Sequence, residues 1–175
     1  MPCKPIKHSL ALACLLALGA TAPADAAAPR PEVDVAAAKL QAQVVHWRRD
    51  FHQHPELSNR EQRTGQVIAR ELAKMGLEPR TGIAGHGVVA VLKGGRPGPR
   101  IALRADMDAL PVTERNDLPF ASKATGEYRG QKVGVMHACG HDAHMAILLG
   151  VARALVDRRA QLPGEVMFVF QPAEE

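Results

Sequence analysis

The sequence predicts an α/β fold, with a mixed, largely parallel sheet flanked by helices. Two observations carry this reading. Stretches with apolar residues at helical spacing alternate with short continuous apolar runs, and clusters of Gly and Pro separate them. The 175-residue length gives room for one domain or a piece of a larger one, and a hydrophobic share of 46% is ample for a core. Aromatic residues make up only 3%, so that core is aliphatic.

The first 26 residues read as a signal peptide rather than as part of the fold. Lys4 and Lys7 form a positive start, and Leu10 to Ala20 is an apolar run too short to span a bilayer stably. Ala24-Asp25-Ala26 supplies small residues where a signal peptidase reads, so cleavage is expected after Ala26. Ala22-Pro23-Ala24 offers the same pattern two residues earlier. Lipidation at Cys14 is disfavoured, because Ala11 stands where a lipobox has Leu and the apolar run continues past the Cys. The reading makes the protein exported, periplasmic or secreted, with no stable membrane span once the signal is removed.

In the remaining residues, 27–175, Ala27 to Asp34 reads as a flexible, Pro-bearing leader. From Val35 to about His52, Leu40, Val44, Trp47 and Phe51 recur at helical spacing, and Pro55 forces an end. Ser58 followed by Glu61 is a capping-box pattern for a second helix, with Val67, Ile68, Leu72 and Met75 on one face and a stop at Gly76. Val88 to Leu92 reads as a strand, Gly94 to Pro99 as turn chemistry, and Arg100 to Ala105 as the next strand. Val112 to Lys132 is polar and irregular, as a surface loop is. Asp142 is placed to N-cap a helix whose buried side is Ala146, Ile147, Val151, Ala154 and Leu155. After Pro163-Gly164, Glu165 to Phe170 is a strand, expected to present an unpaired edge.

The chemistry concentrates in His137-Ala-Cys-Gly-His-Asp-Ala-His144, where a thiol, three imidazoles and a carboxylate lie within eight residues around Gly140. Sulfur and imidazole donors at that range suit zinc or a later first-row divalent ion. Loss of the signal peptide would remove Cys3 and Cys14 and leave Cys139 alone, prone to oxidation unless a metal holds it. Glu174 and Glu175 follow the strand from Glu165, and Asp106 and Asp108 follow the strand from Arg100. Strand carboxyl ends are where α/β sheets place ligands. His52 and His54 precede Pro55 at a helix end, where bonding to carbonyls is ordinary. The net charge of +4 is scattered, with no basic run interleaved with aromatics, so nucleic acid is excluded as a partner. GxSxG, HExxH, P-loop and CxxC patterns are absent, and Gly85-His-Gly87 precedes a strand where a dinucleotide fingerprint must follow one.

Four segments together resemble the amidohydrolase branch of the di-metal aminopeptidase-like peptidases, which includes hippurate hydrolases, N-acyl-L-amino acid amidohydrolases and indoleacetyl-amino-acid hydrolases. They are Arg49-Asp-Phe-His-Gln-His-Pro-Glu-Leu57, Leu103-Arg-Ala-Asp-Met-Asp-Ala-Leu-Pro111, Met136-His-Ala-Cys-Gly-His-Asp-Ala-His144 and Phe170-Gln-Pro-Ala-Glu-Glu175. The resemblance implies an aminopeptidase-like catalytic domain of which residues 27–175 are the N-terminal portion, the later strands and an inserted dimerisation domain being absent. It implies two divalent ions (zinc, manganese, cobalt or nickel), a small-molecule amide substrate and a homodimer for the full-length protein. Cys139, His141 and Glu175 would be metal ligands, and Glu174 the general base. Asp106 would stand behind a ligand and orient it. Arg104 replaces the His of other peptidases in the wider family, which leaves its role open. His137 and His144 are expected to cap or to hydrogen-bond at the surface rather than to bind metal. The expected activity is metal-dependent hydrolysis of the amide bond of N-acyl amino acids or similar conjugates. The alternative is a truncated, non-catalytic remnant that folds poorly or only binds metal, and the 175-residue chain by itself is expected to be inactive.

Overall fold

The computed structural model describes residues 30–175, so the signal-peptide reading lies outside the described residues. The helices are α1 (Pro31–Gln53), α2 (Gln62–Lys74) and α3 (His141–Val156). The strands are β1 (Arg80–Ile83), β2 (Gly87–Lys93), β3 (Arg96–Asp106), β4 (Thr125–Tyr128), β5 (Gln131–Gly134) and β6 (Pro163–Gln171). Among the described residues no helix is long and apolar enough to cross a membrane.

The helix α1 carries the expected stripe, with Trp47 and Phe51 buried and Leu40 and Val44 half-buried. It begins earlier than the apolar spacing suggests. Pro31 suits the first turn, where its missing N–H costs nothing, and Glu32 and Asp34 favour the positive helix start. Pro31 to Asp34 are therefore helix, not leader. The expected capping box at α2 does not form. Glu56, from outside the helix, accepts the N–H groups of Arg63 at 3.0 Å and Thr64 at 2.8 Å. Ser58 and Glu61 are thereby free for other partners.

A mixed sheet, as the sequence predicts, runs in the order β1-β2-β6-β3. Parallel pairing is confined to β3 with β6, while β1–β2 and β2–β6 are antiparallel. Strand β6 is central, so the edge expected there belongs instead to β3, where Ile101 is half exposed. Local spacing could not reveal that β2 would take the second side of β6. Val88, Ala90 and Leu92 of β2 and Val166, Phe168 and Phe170 of β6 form one buried face, which packs against Phe51, Ile68, Leu72, Met145 and Leu149 from the three helices.

In α3 the buried stripe is His141, Met145, Leu148, Leu149 and Ala152, and Ile147 is 56% exposed. Of the expected face, Ala146 is fully buried and Val151 and Leu155 pack against the core, so Ile147 is the departure, as burial of His141 and Asp142 at the first turn sets the helix phase. The region expected to be irregular contains the β4–β5 hairpin. Arg129 and Gly130, both at positive φ, make its two-residue turn. Strand β1 is fully exposed and carries no apolar pattern to announce it.

Phe168→Ala removes a fully buried ring from the central strand. The protein carrying this chain should lose about 3–5 kcal/mol in chemical denaturation; a loss below about 1 kcal/mol would contradict this account of the core.

Candidate metal centre

The parallel register sets Asp106 of β3 beside Gln171 of β6, so both strands deliver their carboxyl ends to one rim. Beyond β3, the chain threads between two other segments. Ala109 N–H donates to the Glu56 carbonyl at 2.8 Å, and Leu110 exchanges backbone bonds with Met136 at 3.0 and 3.1 Å. All four sequence motifs are thus joined around Asp106–Leu110. Cys139 and His141 enter through Gly140, the N-cap of α3, whose φ of 94° is a conformation glycine adopts freely.

His141 is 2% exposed. Its Nδ1 lies 2.8 Å from the Asp108 carbonyl oxygen, which can only accept, so Nδ1 donates and Nε2 is the nitrogen turned to the site. Nε2 faces Asp106 Oδ2 and Glu174 Oε2, each at 3.7 Å, and Glu175 Oε1 at 4.0 Å. These separations are too long for hydrogen bonds. They suit donors that share an ion, since two ligands each about 2.0–2.3 Å from a metal lie roughly 3–4 Å apart. Cys139, His141 and Glu175 offer one donor atom each, all within 4.8 Å of one another, and so do Asp106, His141 and His144. His141 is common to both groups, and its ring stacks on that of His144 at 5.5 Å. Thiol, imidazole and carboxylate donors in this arrangement fit a zinc-like ion.

The electrostatics agree with that fit. The Cys139 thiol is pushed up, first by its hydrogen bond to Glu175 and further by the charges of Glu175, Glu174 and Asp106. A cation among these carboxylates would reverse the effect, because a coordinated thiol gives up its proton. Glu175 is the more enclosed of the pair, and Glu174 is 40% exposed. Arg104, whose role the sequence leaves open, ties the two strand ends together. Its Nε donates to Gln171 Oε1 at 2.7 Å, and its Nη2 lies 2.7 Å from Asp106 Oδ1.

Residues 102–175 match peptidase family M20/M25/M40. The chain is 45% identical to thermostable carboxypeptidase 1 of Saccharolobus solfataricus over 78% of its own length and 33% of the relative's. It is 44% identical to the N-acyl-L-amino acid amidohydrolase of Geobacillus stearothermophilus, over 78% of this chain and 35% of that protein. A Bacillus subtilis structure described as a dinuclear metal binding peptidase of the M20 family superposes with a TM-score of 0.70 at 46% identity, covering 78% of this chain and 36% of that one. The chain resembles peptidase family M20/M25/M40. It spans about a third of the length of the curated relatives it matches.

Several residues do what the sequence does not suggest. His54 bonds the Asp50 carbonyl at 2.9 Å, as expected at a helix end. His52 does not. It is buried between two carboxylates, with Nδ1 2.7 Å from Asp142 Oδ2 and Nε2 2.9 Å from Glu114 Oε1. Arg48 Nε lies 2.8 Å from the same Asp142 oxygen. Asp142 thus ties α3 to α1 through Oδ2, while its Oδ1 accepts the first-turn N–H of Ala143 at 2.9 Å; the N-cap position itself belongs to Gly140. The available signal was the pair Arg48 and His52, one turn apart and flanking the Trp47–Phe51 stripe. His137 is not at the surface. It is 4% exposed, neither ring nitrogen has a partner among the described residues, and burial pushes its pKa down to about 4. Glu61 is fully buried and accepts the Ala173 N–H at 2.8 Å, just before the Glu pair. Asp108 Oδ2 accepts the Ser58 hydroxyl at 2.6 Å and the Glu175 N–H at 2.9 Å. Burial alone would raise the Asp108 carboxyl, but these donors outweigh it and hold it below its ordinary value.

Glu114 gives a pH test of the buried network. Burial would raise it, yet the bonds from His52, the Ser122 N–H and Asn116 hold its carboxyl below the usual 4.5. A depressed folded pKa stabilises above the unfolded value and loses that stabilisation as pH falls through the folded one. Glu114→Gln should therefore cost about 1–3 kcal/mol at neutral pH and flatten the acid loss below 4.5, measured by denaturation across pH.

Proposed function

We propose that the protein carrying this chain hydrolyses the amide bond of N-acyl amino acids or similar amide conjugates, in a reaction that depends on two divalent ions. The observation that carries this reading is the convergence of Cys139, His141 and Glu175 within 4.8 Å, with Glu174 beside them. The carboxypeptidase and the amidohydrolase among the relatives support it, as does the dinuclear metal binding described for the B. subtilis structure. Cys139, His141 and Glu175 would hold metal, with zinc, manganese, cobalt and nickel as the candidates. Asp106 and His144 stand next to the same imidazole, and Asp106 would orient the ligand set.

The chemistry that such ions supply when bound is acidification of water and polarisation of a carbonyl. The remaining work falls to the chain's own side chains. His141, whose Nδ1 donates to the Asp108 carbonyl, keeps Nε2 turned to the site. Glu174, solvent-accessible on the rim, accepts the proton of the attacking water and returns it to the leaving amide nitrogen as the C–N bond breaks. We further infer a homodimer for the whole protein and, from residues 1–26, export to the periplasm or beyond.

Glu174→Gln should keep the metal and lower kcat on the order of 10²-fold or more, because an amide cannot take the proton. Cys139→Ala should lose one of the two ions in elemental analysis. Near-normal hydrolysis of N-acyl amino acids by Glu174→Gln would sink the general-base assignment. Mass spectrometry of an exported fraction should find Ala27 at the N-terminus, or Asp25 if the earlier site is cut; an intact Met1 on a cytoplasmic protein would overturn the export reading.

A further inference from the structure

We propose that Glu61 is a positioning residue for Glu174, holding the turn at the end of β6 from which that side chain reaches the site. The inference rests on the general-base reading of Glu174 above. It adds a residue from another element, one that belongs to neither group of candidate ligands.

Glu61 stands at the N-cap position of α2, yet its side chain makes no cap bond, because Glu56 has taken the N–H groups of Arg63 and Thr64. The Glu61 carboxyl group is instead fully buried. Its Oε1 accepts the N–H of Ala173 at 2.8 Å, across 112 positions of sequence. Its Oε2 has no partner among the described residues, and neither has the buried hydroxyl of Thr64. Enclosing a carboxyl group for so little bonding costs stability, and an apolar side chain of similar size would fill the space without that cost. What the carboxyl group supplies, and an apolar one cannot, is an acceptor at Ala173.

That acceptor meets a backbone position that needs holding. Ala173 has a positive φ of 53°, uncommon for a residue with a side chain, and Glu174 follows it directly. Such a conformation persists where its surroundings fix it. Here the surroundings fit closely. A β-carbon at Gly65 in α2 would meet the His86 carbonyl oxygen at 2.6 Å, and one at Gly87 would meet Pro172 at 2.9 Å. The first turn of α2, the start of β2 and the residues after β6 are thus seated against one another, with the Glu61 bond between the first and the last. Relaxing Ala173 to an ordinary negative φ would swing the chain beyond it and carry Glu174 Oε2 away from His141 Nε2, which it faces at 3.7 Å. Glu175 has an anchor of its own, the bond from its N–H to Asp108 at 2.9 Å. Losing the Glu61 bond should therefore displace the base more than the ligand.

The test uses the complete protein expressed from its own gene, loaded with zinc and assayed on a panel of N-acyl amino acids. Glu61→Leu fills the space but removes the acceptor. Its kcat should fall on the order of 10-fold or more with KM little changed, because misplacing a catalytic arrangement by about 1 Å can cost more than that. Zinc content should stay that of the wild type. Glu61→Gln still offers an oxygen to the Ala173 N–H and should keep kcat near the wild-type value. In an Ala173→Gly background, where the turn is adopted freely, adding Glu61→Leu should cost only about 3-fold or less. If Glu61→Leu does not fold, Glu61→Asp, one methylene shorter, takes its place in both backgrounds. Wild-type kcat in that variant beside an impaired Glu174→Gln would overturn the positioning role alone, as would an equal loss in the two Ala173 backgrounds or a loss of zinc. Undiminished turnover by Glu174→Gln, or none by the wild type, would overturn the general-base reading and this inference with it.

Discussion

The parallel pairing of β3 with β6 is the constraint on which the site depends. Once Asp106 lies opposite Gln171, the residues that follow each strand must emerge side by side, and the carboxylates of both segments share one rim. The connection between these strands includes α3, whose first turn carries His141 and must also reach that rim. Shifting the register by one residue would turn Val166, Phe168 and Phe170 away from the helices. The alternation that buries the core and the alignment that assembles the donors are therefore one condition.

The site gathers three carboxylates, of which Asp106 is paired with Arg104. Asp106, Glu174 and Glu175 all approach one imidazole nitrogen, and the hydrogen bond to Glu175, with these charges behind it, pushes the nearby Cys139 thiol up. Such crowding is unfavourable in isolation, and the buried framework is what tolerates it. Hydrogen bonds from Ser58 and the Glu175 backbone secure Asp108, and a second network through His52, Asp142, Arg48 and Glu114 fastens the start of α3 to α1. The folded scaffold thus bears the electrostatic cost of the arrangement in advance, as preorganised sites do.

What the sequence discloses and what it conceals divide along the range of the interactions. The stripe on α1, the apolar faces of α2 and the runs of β2 and β6 are local patterns, and each appears where its spacing predicts. The Cys139–His141 cluster is equally local, because Gly140 brings its members together within one turn. The order of strands is not local, and the central place of β6 depends on a partner far away in sequence. The same holds for polar residues whose partners lie many positions distant. Ser58 looks like a helix cap until Asp108 claims it, and His52 looks like a helix-end residue until Asp142 and Glu114 enclose it. Burial then overturns the ordinary expectation for a histidine or an acid, which is why His137 and Glu61 carry no warning in their own neighbourhoods.

The outer side of β3 has a geometric consequence of its own. The opposite margin of the sheet, β1, is four residues long and irregular in register, so β3 is the side from which the sheet can grow. Any strand added there in the parallel sense would run towards the same rim as β3 and β6. Its final residues would emerge next to Asp106. Growth of the sheet in that direction would therefore bring another loop within reach of the candidate site with each added parallel strand.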